Sequence, residues 1–259
     1  MQSIILSAVF IIASLLHGIS GMGFPMLATT TLAFFMPLSK VVALVALPSL
    51  LMSALVLCSH SKQGILQEIL YYTKSYKLLA ISSVIGTILG VKLLLILSVS
   101  YLYLLMACVT LYYSINGLLN IFGKAKSIKI NSNNKNMILF GFLAGIIGGS
   151  TNAMSPILLM FLFSQSDDKN RVAKASNLCF LLAKIVQIYM LKEQYFLLEQ
   201  SEYALIFLLT LFSIAGLYVG IWLRHKISTK FFKVLNFAIL LVLALKIGYS
   251  GILKFFANL

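Results

Sequence analysis

Hydrophobic positions in this chain run together instead of alternating with polar ones. Apolar stretches near residues 41–58, 78–97, 101–122, 171–191, 203–223 and 231–256 each approach the roughly 20 residues of helix that cross a bilayer. Two further apolar stretches, 3–36 and 137–163, are interrupted. The first breaks at HGISGMGFPML (His17 to Leu27) and the second at AGIIGGSTNAMSPIL (Ala144 to Leu158). Each break gathers glycines, closes on a proline and resumes as an apolar run. In hydrocarbon, unwound backbone survives only where protein or a watery cavity surrounds it, and paired breaks in two halves point to a transporter's binding site.

The halves match beyond the breaks. Gly86-Thr-Ile-Leu-Gly90 corresponds to Gly216-Leu-Tyr-Val-Gly220, each followed by a cation (Lys92, Arg224), and Leu97-Ser98 corresponds to Ile227-Ser228. Between them lies a polar basic linker, GKAKSIKINSNNKN. The expected organisation is a first transmembrane repeat over 1–122, a cytoplasmic linker over 123–136 and a second repeat over 137–259. The expected fold is an all-α polytopic membrane protein of two inverted repeats. Each repeat has one glycine-broken re-entrant or discontinuous segment plus three full transmembrane helices, about eight segments in all.

Composition agrees: 61% of residues are hydrophobic, 10% are charged, and the mean hydropathy is +1.01, which leaves no soluble domain to carry a conventional active site. No cation precedes the first apolar run and no small-residue cleavage site follows it, so no secretory signal peptide is expected. Cys58, Cys108 and Cys179 have no metal-ligand spacing and read as packing residues.

Charge placement selects the inverted arrangement. If each broken segment enters and returns on one side, one face collects 14 cations: Lys62, Lys74, Lys77, Lys124, Lys126, Lys129, Lys135, Lys169, Arg171, Lys174, Arg224, Lys226, Lys230 and Lys233. The other keeps three, Lys40, Lys192 and Lys254, beside Glu193, Glu199 and Glu202. The positive-inside rule makes the first face cytoplasmic and both termini extracytoplasmic. Most of the +14 net charge is then orientation signal facing anionic lipid, and nucleic acid is not an expected partner.

The breaks carry the candidate chemistry. Pro25 and Pro156 stand where helices restart, so unpaired N–H groups and positive dipole ends face the gap. If the two segments meet head to head, these ends converge on one spot suited to an oxyanion or small carboxylate. Gly18, Gly21 and Gly23 in the first break, with Gly148 and Gly149 in the second, allow close approach of a ligand; Ser20, Ser150, Thr151, Asn152 and Ser155 add hydrogen bonding. On the next span Asn177, Lys184 and Gln187 share one helical face with Lys174. A lysine at mid-membrane costs roughly 2.5–3.5 kcal/mol on insertion scales and so faces a cavity or a partner. Lys246 stays open, while Asn116 and Asn236 read as interhelical glue. His17, beside the first break, suits gating or proton transfer. No Asp or Glu lies in a span, which removes a carboxylate relay.

With these features placed, the chain resembles the TauE/SafE-type sulfite exporter family of bacterial permeases, whose halves carry Gly-x-x-Gly-x-Gly-Gly-Gly followed by proline. Gly145-Ile-Ile-Gly148-Gly149-Ser-Thr-Asn-Ala-Met-Ser-Pro156 keeps the spacing. Gly18-Ile-Ser-Gly21-Met-Gly23-Phe-Pro25, aligned on Gly145, is four residues shorter. Arg171-Val-Ala-Lys-Ala-Ser-Asn177 resembles the family's small-and-polar opening of the following helix. The resemblance implies sulfite, a sulfonate or another small organic anion as substrate, in a bacterial inner membrane; no cofactor is expected.

No catalytic metal or nucleophile motif is present, and convergent helix N-termini repel cations. The expected function is therefore a secondary carrier of a small anion, an exporter by resemblance, working by alternating access. An anion channel and a non-transporting membrane assembly protein are the alternatives. The expected partners are the anion and membrane lipid; a homo-oligomer is admitted without being specified.

Overall fold

The computed structural model of the chain describes residues 2–33, 35–59, 64–124 and 129–256, and these are helical with no strand among them. Lys62 and Lys126 of the charge count lie outside the described residues, as does the side chain of Lys254. Six long helices are α3 (Leu38–Cys58), α5 (Lys77–Ile96), α6 (Val99–Ile121), α9 (Lys169–Met190), α11 (Gln200–Lys226) and α12 (Thr229–Phe256). Each contains a stretch long and apolar enough to cross a membrane. Helices α1 (Gln2–Ser20) and α2 (Phe24–Leu32) flank the first break; α7 (Asn134–Thr151) and α8 (Ser155–Gln165) flank the second. Two short helices were not expected: α4 (Ile65–Ser75) and α10 (Lys192–Phe196). Helix α4 is amphipathic, with Leu66, Leu70 and Tyr71 exposed and Tyr72 buried.

Local chemistry explains where the helices stop. Gly21 takes φ 77° and gives its N–H to the His17 carbonyl at 2.7 Å, ending α1. Asn152 takes φ 63° and donates to the Gly148 carbonyl at 2.9 Å, ending α7 in the same way. Asparagine is among the few L residues that tolerate this left-handed cap, so the glycine-poor second break needs no glycine there. Pro25 and Pro156 then sit in the first turns of α2 and α8.

The two gaps, 21–23 and 152–154, are equally long, so the first break is not the shorter one. Pro25 and Pro156, Ser20 and Thr151, and the starts of α3 and α9 are each 131 residues apart, which aligns Gly18 with Gly149 rather than with Gly145. The earlier register follows the glycines, and Asn152 standing in for one of them displaces it.

The most extensive helix contacts join residues before the linker to residues after it: α5 with α7, α1 with α11, α6 with α12, and α3 with α9. Glycine lets the first two pairs touch backbone to backbone. A Cβ on Gly90 would meet the Gly149 Cα, and one on Gly220 would meet the Gly18 Cα at 2.7 Å. Such small-residue seams drive helix association in lipid, where apolar side chains gain little by leaving the tails. Both pairs run parallel.

Polar contacts fix the ends. Lys40, at the start of α3, pairs with Glu202, at the start of α11, at 2.7 Å. Gln165, the last residue of α8, donates to the Ile130 carbonyl at 2.7 Å, four residues before α7 begins. At the same end the Lys169 ammonium donates to the Arg224 carbonyl at 2.6 Å and to that of Ile227.

Candidate functional site

Helix α9 organises the polar interior. Asp168 caps it by accepting from the N–H groups of Asn170 (2.8 Å) and Arg171 (3.3 Å). One turn in, Lys174 pairs with Glu68 of α4 at 2.8 Å with its side chain only 3% exposed. Arg171 Nε donates to the Tyr76 hydroxyl at 2.9 Å. Further along, Asn177, Lys184 and Gln187 stand on the face turned to the two breaks, and all are buried.

Around the second break these side chains converge. The Lys184 ammonium donates to Asn152 Oδ1 and, at 2.6 Å, to Gln187 Oε1. Gln187 Nε2 donates to the carbonyls of Gly148 (2.9 Å) and Gly149 (3.1 Å) and to Asn152 Oδ1 (3.0 Å). Asn152 Nδ2 reaches across to Thr29 Oγ1 of α2 at 2.7 Å and to the Val42 carbonyl of α3 at 3.4 Å. Asn152 therefore has two functions. Its backbone ends α7, and its side chain ties α2, α3 and α9 together.

At the first break, Asn177 Nδ2 donates to the carbonyls of Gly21 (2.6 Å) and Ala173 (2.7 Å). Its Oδ1 lies 3.2 Å from His17 Nε2. Because the Asn177 amide nitrogen faces two carbonyls, its oxygen must accept, so Nε2 of His17 carries the proton. His17 Nδ1 is buried and has no hydrogen-bond partner. Arg224 is 1% exposed and directs Nε (2.8 Å) and Nη2 onto one acceptor, the Gly18 carbonyl.

Side chains of α9 meet the two breaks at different levels of that helix. Asn177 and Gln187 are ten residues apart on α9, about 15 Å of rise, and each serves a different break. The donors that meet there face carbonyls in the last turns of α1 and α7, the negative ends of those helices. Ser150 and Thr151 hydrogen-bond within their own helix, to the carbonyls of Ile146 and Ile147, while the Ser20 hydroxyl bonds the Leu16 carbonyl and, inside the first break, the carbonyl and N–H of Met22. Gly23 and Ser155 are buried at the starts of α2 and α8. Lys246 donates to Thr31 Oγ1 at 2.9 Å. Asn236 bonds the Phe232 carbonyl of its own helix and so is not interhelical glue.

Both cations at the breaks, Lys184 and Arg224, are buried. Among the described residues, ion pairs join Lys40 to Glu202, Lys174 to Glu68 and Lys233 to Asp167, and none involves Lys184 or Arg224. An uncompensated cation held away from water is costly, and burial without a carboxylate partner leaves room for a transient anion. Arg224 and Lys174 were counted among loop cations by sequence, and the structure buries both. The signal for Arg224 is its position one turn beyond Gly220, the residue that meets Gly18.

A family model described as Sulfite exporter TauE/SafE matches residues 6–247. The chain belongs to the TauE/SafE sulfite exporter family. Neither a curated protein nor a solved structure matches it. The TauE/SafE match spans both breaks, all of α9 and Arg224, so the polar interior lies wholly within the family region. Membership makes this a multi-pass membrane transporter of exporter type and not a member of an enzyme family.

Proposed function

We propose that the chain is a secondary carrier that exports a small oxyanion (sulfite, a sulfonate or a small organic acid) by alternating access. The observation that carries this reading is Lys184, a buried ammonium beside a helix break with amide partners and no carboxylate. An ammonium among amides attracts an anion, while Asn152 and Gln187 hold it in place and reorient with it. Gly148, Gly149 and Asn152 at the second break, with Lys184 and Gln187, form the substrate site; Ser150, Thr151 and Ser155 line its approach. Gly18, Ser20, Gly21, Gly23 and Asn177 form the matching region of the first break, with His17 as its gating residue.

The mechanism follows from an inverted-repeat arrangement, residues 1–122 against 137–259. Three features support it. The starts of α2 and α8 and of α3 and α9 are 131 residues apart, and the ends of α5 and α11 and the starts of α6 and α12 are 130 apart. The main contacts are exchanged between halves. The end of α8 returns to the start of α7, and Lys40 returns the chain after α2 to the start of α11. Re-entrant segments of this kind let one repeat rock against the other around a fixed site. The charge distribution supports both termini outside a bacterial inner membrane.

The test is flux from proteoliposomes holding the full chain, with sulfite, methanesulfonate, acetate and chloride compared, each with and without a proton or sodium gradient. Saturable movement of an oxyanion is the expected result. Folded protein that moves none of them overturns the carrier reading.

A further inference from the structure

The second buried cation is unexplained by a substrate site at Lys184. A guanidinium has five N–H donors, and Arg224 places Nε and Nη2 on one neutral oxygen, that of Gly18. The carboxylate at the head of α9, Asp168, is engaged by the Asn170 and Arg171 N–H groups. Lys169 adds a second positive group at that end, its ammonium on the Arg224 and Ile227 carbonyls. Setting the Asp168 charge against that of Lys169 leaves the Arg224 charge in excess at the first break. Beside it stands His17, fully buried, with Nε2–H fixed on Asn177 and Nδ1 open as an acceptor. Two of the five donors are spent on Gly18, so three N–H groups stand open at the same break as a lone acceptor, a pair of opposite requirements. A bare dianion satisfies only the donors, whereas an oxyanion that keeps one proton satisfies both.

We propose that the first break is a second oxyanion subsite, in which Arg224 binds the bare oxygens of a singly protonated oxyanion and His17 Nδ1 accepts its O–H. It rests on the carrier reading and extends it. Two stations then lie about 10–15 Å apart along α9, with Phe180 on the helix between them and its ring 6.5 Å from that of His17. Asn177 is a positioning residue, since its amide sets which imidazole nitrogen is open. Arg224 is closed off from lipid headgroups by its burial, so the ligand is a solute.

The experiment is equilibrium binding of radiolabelled sulfite, and separately of methanesulfonate, to the full chain in phosphatidylcholine nanodiscs. Thermal unfolding verifies the fold of each variant. The wild type is expected to bind two sulfites but one methanesulfonate, which carries no O–H. Arg224→Gln and Lys184→Gln are each expected to bind one sulfite. Arg224→Lys, which keeps the charge and loses the fork, is expected to retain the second site at least tenfold weaker and serves if Arg224→Gln does not fold. One sulfite per wild-type chain, or wild-type binding by folded Arg224 variants, overturns the second subsite alone. Two methanesulfonates per chain overturn the role of His17. No anion bound by the wild type overturns the carrier reading itself.

Discussion

Asn152 offers the sharpest dissection, because its backbone and side chain act separately. Its φ of 63° is a left-handed cap, and its side chain connects Thr29, Val42, Lys184 and Gln187. Replacement by glycine keeps the cap and deletes the side chain. Polar bonds between membrane helices contribute about 0.6 kcal/mol on average and rarely more than about 1.7. Losing the Thr29 bond and one of the two partners of a buried ammonium therefore costs about 2 kcal/mol. Replacement by alanine removes the same bonds and adds about 1–2 kcal/mol for a Cβ in the left-handed region. Glycine's greater freedom in the unfolded chain offsets about 0.4–1 kcal/mol of that difference. Asn152→Ala should thus be about 1 kcal/mol less stable than Asn152→Gly, and both less stable than wild type. Denaturation of the purified protein in one detergent, followed by tryptophan fluorescence, measures the order. Equal stability of the two variants refutes the backbone argument. Wild-type stability in either refutes Asn152 as the connecting residue.

Other predictions follow from the same contacts. Gly220→Val drives a side chain into the Gly18 backbone, where nothing flexible can yield, and should cost about 3 kcal/mol, read as loss of monodisperse protein on size exclusion. Glu68→Ala strips a carboxylate from Lys174, whose side chain is 3% exposed, and should destabilise by about 3 kcal/mol. Lys40→Ala breaks a pair exposed to 24% and 17% and should cost less than about 1 kcal/mol in the same assay. A larger loss for Lys40→Ala than for Glu68→Ala would contradict the burial argument.

Much of the architecture was legible because lipid leaves little choice. A long uncharged run must become a helix, and the six spans read from the sequence differ from α3, α5, α6, α9, α11 and α12 by only a few residues at their ends. The breaks were legible through glycine and proline. Their register was not, because Asn152 does the work of Gly21 and no residue count reveals a shared φ. Helix α4 was missed because an 11-residue amphipathic helix with Gln67, Glu68 and Lys74 looks like a loop between spans.

The polar stripe of Asn177, Lys184 and Gln187 was visible from helical spacing alone. Its attachment to two levels was not, since that depends on how far α1 and α7 penetrate beside their partners. Arg224 lies two residues from the end of α11, where cations ordinarily reach water. Only the close approach of Gly220 to Gly18 turns it inward.

The central claim is that a buried ammonium without a carboxylate partner attracts the transported anion. Its most direct test is the initial rate of sulfite efflux from proteoliposomes by Lys184→Gln, set against wild type at equal amounts of folded protein. The account predicts a fall of at least tenfold, equivalent to about 1.4 kcal/mol of lost interaction. A wild-type rate in the folded variant would contradict it.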